Sequence, residues 1–395
     1  MSDISNFNDL MASVFQDNWN PMPDDGSTNN FIGALSSQND FKFFQGQFID
    51  MGNDLKRVYK DNHQETEKLV KTIRNIATKS GCHGAYSELC VLHALNYGCH
   101  FDIVTDITFQ ASESFAAQLG HKKDTNMDGY IPDFDIYFDT KSFRDTITPI
   151  LRNVSSKSMQ TLVDKGVLTE EQSKHVYIQY QFHHIDSEDK YQENIKALVD
   201  EFITKFIGLD KRMSHKLDKI KRIHSDIIPG LQYVFNWGGI SSSESCYSPF
   251  ERAEKLVEPL LVRYADKFLL HHPFMLILVN HPWFNQVDTD AFDFNRVLYR
   301  SLSRRVFMQF RHDGRKMSTI NAKFVGEETI DEVSKHISAI LYIDVLSAVD
   351  KGKPYKCYLY TNPRAINKIR KDVIGLPLCQ MNVLQEEDDF IHDNY

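Results

Sequence analysis

The sequence predicts an α/β fold, a mixed sheet flanked by helices with further helical additions. Three observations carry this. Short runs rich in β-branched and aromatic residues, such as 176–183 and 273–281, have the length and composition of strands. Longer stretches, such as 55–79 and 292–311, repeat apolar residues at helical spacing. The two kinds alternate along the chain, which favours helices packed on a sheet over an all-β arrangement.

Taken in order, residues 1–54 are polar and rich in Asn, Asp, Ser and Gly, with aromatic anchors at Phe41, Phe43, Phe44 and Phe48. Helical spacing runs through Leu55, Val58, Leu69, Ile73 and Ile76 and stops at Ser80-Gly81. A second helix is expected over 84–97. Residues 101–109 read as a strand, 110–129 as a polar loop ending in DTNMDG, and 131–143 as a strand again. Strand 176–183 follows, then charged helical sequence over 189–228 and a helix over 250–270. A buried strand at 273–281, an amphipathic helix at 292–311 and strands at 337–345 and 355–361 complete the series.

The chain has 395 residues, 42% of them hydrophobic and 25% charged, which suits a globular protein with a sizeable core. Its formal charge of −9 provides no global attraction for a polyanion, so any nucleic-acid contact must use local basic patches. The opening MSDISNFNDLMASVF has neither a basic region nor a long apolar stretch, and no apolar run is long enough to cross a bilayer. A cytoplasmic location without membrane association is therefore expected. Six cysteines without a C-x₂-C pair suggest reduced thiols rather than structural zinc. G-x-S-x-G and GxxxxGK[ST] are both missing from the sequence, which argues against a hydrolase elbow or a P-loop.

The run IPDFDIYFDTKSF at 131–143 carries Asp133, Asp135, Asp139 and Lys141. On an extended strand Asp139 and Lys141 share a face. Carboxylates are the hard oxygen ligands that Mg²⁺ needs, and a neighbouring ammonium can offset charge built up on a phosphate. At these residues the chain resembles the PD-(D/E)xK nuclease superfamily. Pro132-Asp133 matches its Pro-Asp, Asp139-Thr140-Lys141 its acid-x-Lys, and Glu88 in AYSELCVLHAL the helical Glu that the family often adds. The likeness covers roughly 84–183.

The resemblance implies a restriction-endonuclease-like fold and a Mg²⁺-dependent endonuclease in which Mn²⁺ can substitute. It further implies DNA rather than RNA as substrate, most readily double-stranded, and a role in restriction or phage defence. Glu88, Asp133 and Asp139 would be metal ligands and Lys141 the catalytic amine. On this view 1–54 is a polar N-terminal segment and 55–185 the nuclease core. Residues 186–385 form a helical insertion and a C-terminal α/β part that completes the fold, and 386–395 an acidic tail.

The spacing of the two aspartates sets a condition. On a straight strand, six steps of about 3.3 Å put Asp133 and Asp139 roughly 20 Å apart, too far for one metal. Either the chain bends sharply, near Tyr137 and Phe138, or another acid serves. Asp135 is the next candidate, and Asp106 and Asp128 lie farther out.

Gln181 is a candidate for contacting phosphate or water. Basic stretches at 205–224, with Lys216 and Lys219, and at 300–316, with Arg300 and Arg304 one helical turn apart, are candidate nucleic-acid contacts. Two other classes of function are open: a nucleic-acid-binding module on a catalytically degenerate fold, and an interaction subunit of a larger defence or repair complex, with a homo-oligomer or protein partner.

Overall fold

The computed structural model describes residues 7–15, 42–77, 82–120, 124–143, 147–182, 188–209, 222–237, 245–246, 249–281, 294–345 and 355–370. The chain is an α/β protein that divides into two compact units. The first comprises 1–143, 256–284 and 299–395, and the second 144–255 and 285–298.

The first unit is built on six strands: β1 (Val104–Phe109), β2 (Thr125–Ile131), β3 (Ile136–Ser142), β8 (Phe274–Asn280), β9 (Ala339–Val345) and β10 (Tyr355–Thr361). They lie in the order β1-β2-β3-β8-β9-β10. The β3-β8 and β8-β9 pairs are parallel and the other three antiparallel, so the sheet is mixed. Burial explains where each kind sits. Every residue of β8 (FMLILVN) and β9 (AILYIDV) is buried, as a parallel strand covered on both faces must be. The outer strand β1 alternates with solvent instead.

One face of this sheet carries four helices: α1 (Phe7–Phe15), α2 (Lys42–Val58), α3 (His63–Ile76) and α4 (Cys82–Leu92). Leu10, Met51, Leu55, Leu69, Leu89 and Val91 pack from them onto Ile136, Phe138, Ile277 and Leu341. The side chain of Asn62 caps α3 by accepting from the Glu65 N–H at 3.2 Å. On the opposite face Tyr299 stacks on Tyr342 at 4.0 Å.

The second unit holds the sheet β5-β6-β4-β7, formed by Ile223–His224, Leu231–Trp237, Val176–Phe182 and Ser245–Cys246. Helices α5 (Ile147–Asp164) and α6 (Ile195–Ile207) cover it, with Leu151, Val154, Leu198 and Phe202 packed on Tyr180 and Tyr233.

Three expectations change. The expected core 55–185 takes in β4, which belongs to the second sheet and pairs with β6 and β7, not with β3. The expected polar loop 110–129 contains most of β2. Its Asp128-Gly129 reads as a turn, yet Gly129 is a strand glycine. A Cβ there would lie 2.2 Å from Phe138 Cζ, so glycine is what lets the ring lie over the strand. The expected single strand 131–143 is a turn followed by β3. Pro132 opens a short 3₁₀ turn, and Asp135 closes it in the left-handed conformation at φ 53°, which aspartate tolerates. The bend falls at 132–135, upstream of the expected Tyr137 and Phe138.

Candidate functional site

The hairpin of β2 and β3 pairs only beside its turn, from Ile131↔Ile136 to Gly129↔Phe138. Beyond that the strands part. β2 stays with β1, and β3 continues along β8 through Ser142. Asp128 and Asp139 stand at the fork. The Thr140 N–H, which has no β2 carbonyl to bond, donates to Asp128 Oδ2 at 2.6 Å instead. A backbone group orphaned by the split is thus satisfied by a side chain, and the acid is fixed by it.

Asp139 has zero solvent exposure, and among the described residues no backbone N–H or neutral side chain donates to either of its carboxylate oxygens. Two ammonium groups approach instead. Lys141 Nζ lies 2.6 Å from Oδ2 in a close ion pair, and Lys267 Nζ lies 3.7 Å from Oδ1. The Lys141 ammonium also sits 5.5 Å from the Tyr264 ring centroid, within cation–π reach. Glu88, the one carboxylate of α4 and half-buried, borders a cavity with Asp106, Asp128 and Thr140.

The electrostatics record this crowding. Burial, then the charges of Asp128 and Asp106, push the Glu88 carboxyl up to about 7, against the pull of Lys141. Burial and Asp139 push Asp128 up to about 6, against Lys141, the Thr140 N–H and Lys267. Burial works against the charge on Lys141, but Asp139 and Asp128 outweigh it and raise its pKa above the ordinary lysine value.

Of the residues expected from sequence, the fold brings Glu88, Asp139 and Lys141 together. Asp133 is elsewhere. It is exposed in the hairpin turn, and its charge does not figure in the shifts at Glu88, Asp128 or Lys141. Asp135 is exposed too, accepts from Tyr130 Oη at 3.2 Å and pairs with His272 at 3.5 Å. The acid opposite Asp139 is Asp128, which pattern matching passes over because it lies on the other strand of the hairpin. Lys267, far along the chain, has no sequence signal at all.

Arg300 and Arg304 are half-buried on the helix Phe294–Arg304. Gln181 pairs through its backbone with Gln232 in the second sheet, and its side chain lies outside the described residues, as do Lys216 and Lys219.

The donor set fits a hard divalent cation: oxygen ligands only, with a buried carboxylate that, among the described residues, lysine ammonium groups face and no neutral donor does. Among the described residues no three Asp, Glu, His or Cys side chains stand close enough to enclose an ion by themselves. Mg²⁺ does not need such a cage, since it keeps several waters and uses one or two carboxylates. No protein-family model, curated protein or solved structure matches the chain. Among the described residues no helix is long and apolar enough to cross a membrane.

Proposed function

We propose that the chain is a Mg²⁺-dependent endonuclease with its centre at Asp139, Asp128, Glu88 and Lys141. The restriction-endonuclease-like fold assignment belongs to this reading, as do Mn²⁺ substitution, DNA as substrate, a cytoplasmic location and a place in phage defence. The observation that carries it is the fully buried Asp139 carboxylate, to which, among the described residues, lysine ammonium groups come close but no backbone N–H or neutral side chain donates. Buried carboxylates are ordinarily answered by backbone or hydroxyl donors, so one held by lysine charge beside raised-pKa acids is a functional candidate.

Asp139 and Asp128 would hold the ion, taking the pair expected of Asp133 and Asp139. The ion, when bound, supplies Lewis acidity at a phosphate oxygen and a more acidic water. Glu88, part ionised near pH 7, is suited to take the proton that the attacking water gives up as one P–O ester bond breaks. Lys141, drawn off Asp139 as the ion arrives, would meet the charge growing on the phosphate.

Lys141→Ala should fold normally and lose cleavage of plasmid and linear DNA in Mg²⁺ or Mn²⁺, and EDTA should stop the wild type. Cleavage by Lys141→Ala at the wild-type rate would sink the assignment. One observation favours a second reading, a degenerate nucleic-acid-binding module: no three ligating side chains converge among the described residues. Magnesium titration by calorimetry separates the two, because the degenerate module takes up no ion.

A further inference from the structure

Resting on that reading, the geometry points to Lys267 as a second phosphate-contacting residue. Together with Lys141 it forms a two-ammonium clamp on the nucleic-acid backbone.

Lys267 is not a surface lysine that happens to lean on an acid. It ends the 3₁₀ turn Ala265–Lys267, whose first residue Ala265 is fully buried, as is Phe268 just after it. The turn is tied to the start of β2, where Thr125 Oγ1 donates to the Asp266 carbonyl at 3.2 Å. The Lys267 ammonium itself donates to the Asn126 carbonyl. Its position is therefore fixed by β2, the strand that carries Asp128, and by a chain segment different from the one that holds Lys141.

The charges show why a second ammonium is there. Lys141 and Lys267 address different oxygens of one carboxylate, at 2.6 and 3.7 Å. Asp128 feels both ammonium groups as well, so the two lysines balance a pair of acids suited to an ion. A divalent ion seated on Asp139 would repel both. Both side chains are about a quarter to a third exposed, at 30% for Lys141 and 27% for Lys267, so each ammonium can exchange its partner, Asp139 or the Asn126 carbonyl, for a ligand in solvent. An ion and two ammonium groups around one point suit a phosphodiester, whose non-bridging oxygens they can share. Lysine binds phosphate as a point charge, which asks for proximity more than for a fixed fork.

The test uses the full chain with Ca²⁺ in place of Mg²⁺ and a DNA duplex of about 20 base pairs at several salt concentrations. Lys267→Met should weaken binding about tenfold and reduce the log–log salt slope by about 0.9, the value for one lost phosphate contact on duplex DNA. Lys267→Arg should restore most of both, which a merely structural role would not require. Lys267→Met should also raise KM for DNA in Mg²⁺, with circular dichroism and thermal midpoint near wild type. If wild type binds and cleaves and folded Lys267→Met matches it in slope and KM, the clamp is wrong and the nuclease reading stands. If wild type neither binds nor cleaves, both fall. If Lys267→Met misfolds, Lys267→Gln is measured by the same slope and decides in the same way.

Discussion

Two buried carboxylates, one in each unit, have opposite surroundings. Glu201 in α6 is 8% exposed and fully answered: Tyr233 Oη donates at 2.7 Å, Ser225 Oγ and the Asp226 N–H at 3.0 Å, and the Ile227 N–H at 3.1 Å. It ties the loop before β6 to the helix. Asp139 in β3 is more deeply buried, and among the described residues it is faced by lysine ammonium groups with no backbone N–H or hydroxyl donating to it. The first pattern is that of a structural joint. The second costs stability and is kept where another group completes it. Burial alone does not tell an architectural acid from a functional one; the donors around it do.

The largest effect that would break this contrast is on chemistry. Asp139→Asn should lower Mg²⁺-dependent cleavage by about a thousandfold, on the scale of losing a main electrostatic group. Urea unfolding should show a smaller loss of stability than at Glu201, because both lysines reach solvent and no buried backbone or hydroxyl donor is stranded. A strongly destabilised Asp139→Asn would make Asp139 a structural joint as well. Glu201→Ala should do the reverse. Stranding several buried donors costs about 3 kcal/mol, read in the same urea curves, while the folded fraction keeps wild-type cleavage. Cleavage lost with Glu201→Ala at full stability would erase the distinction.

The next effect is on pH. Glu88 rises from 4.5 to about 7 on folding and Asp128 from 3.8 to about 6. Between the ordinary and the raised values the folded state holds more protons than the unfolded one. Their stabilising contribution is therefore full below about pH 4 and lost as pH climbs through 6 and 7. In EDTA the thermal midpoint should fall over that window. Mg²⁺, which binds the ionised acids, should flatten the fall, and Glu88→Gln should remove the part of it nearest pH 7. An identical profile with and without Mg²⁺ would mean that these acids hold no ion.

The smallest effect tests the reach of the DNA surface. Arg300→Ala with Arg304→Ala should flatten the salt dependence of duplex binding by about 0.9 per lost contact, and an unchanged slope would assign the pair to packing.

Much of the sheet was legible because burial writes itself into composition. The continuous apolar run of β8 and the late β9 and β10 are where the sequence puts strands. β2 was hidden because its glycine reads as a turn while serving Phe138, and local patterns carry no sign of a ring packed from the next strand. The candidate site was half legible for the same reason. Asp139, Lys141 and Glu88 announce themselves within short segments. Asp128 depends on which residue faces Asp139 across a hairpin, and Lys267 on a contact between distant segments. The assignment of β4 to another sheet also could not be seen locally, since a strand's sequence does not name its partner.

The parallel pairing of β3 with β8 has a consequence for how the molecule is made. All of residues 144–255, most of the second unit, lies between the two in the chain. A ribosome emits β3, with Asp139 and Lys141, long before it emits Lys267 or β8. Pairing across so long a separation is slow, because loop closure must precede any contact that rewards it. The nascent chain therefore carries its acids and first lysine throughout the synthesis of residues 144–255 without the strand that buries them or the second ammonium. Whatever activity the finished centre has is switched on late, by the order in which the chain appears.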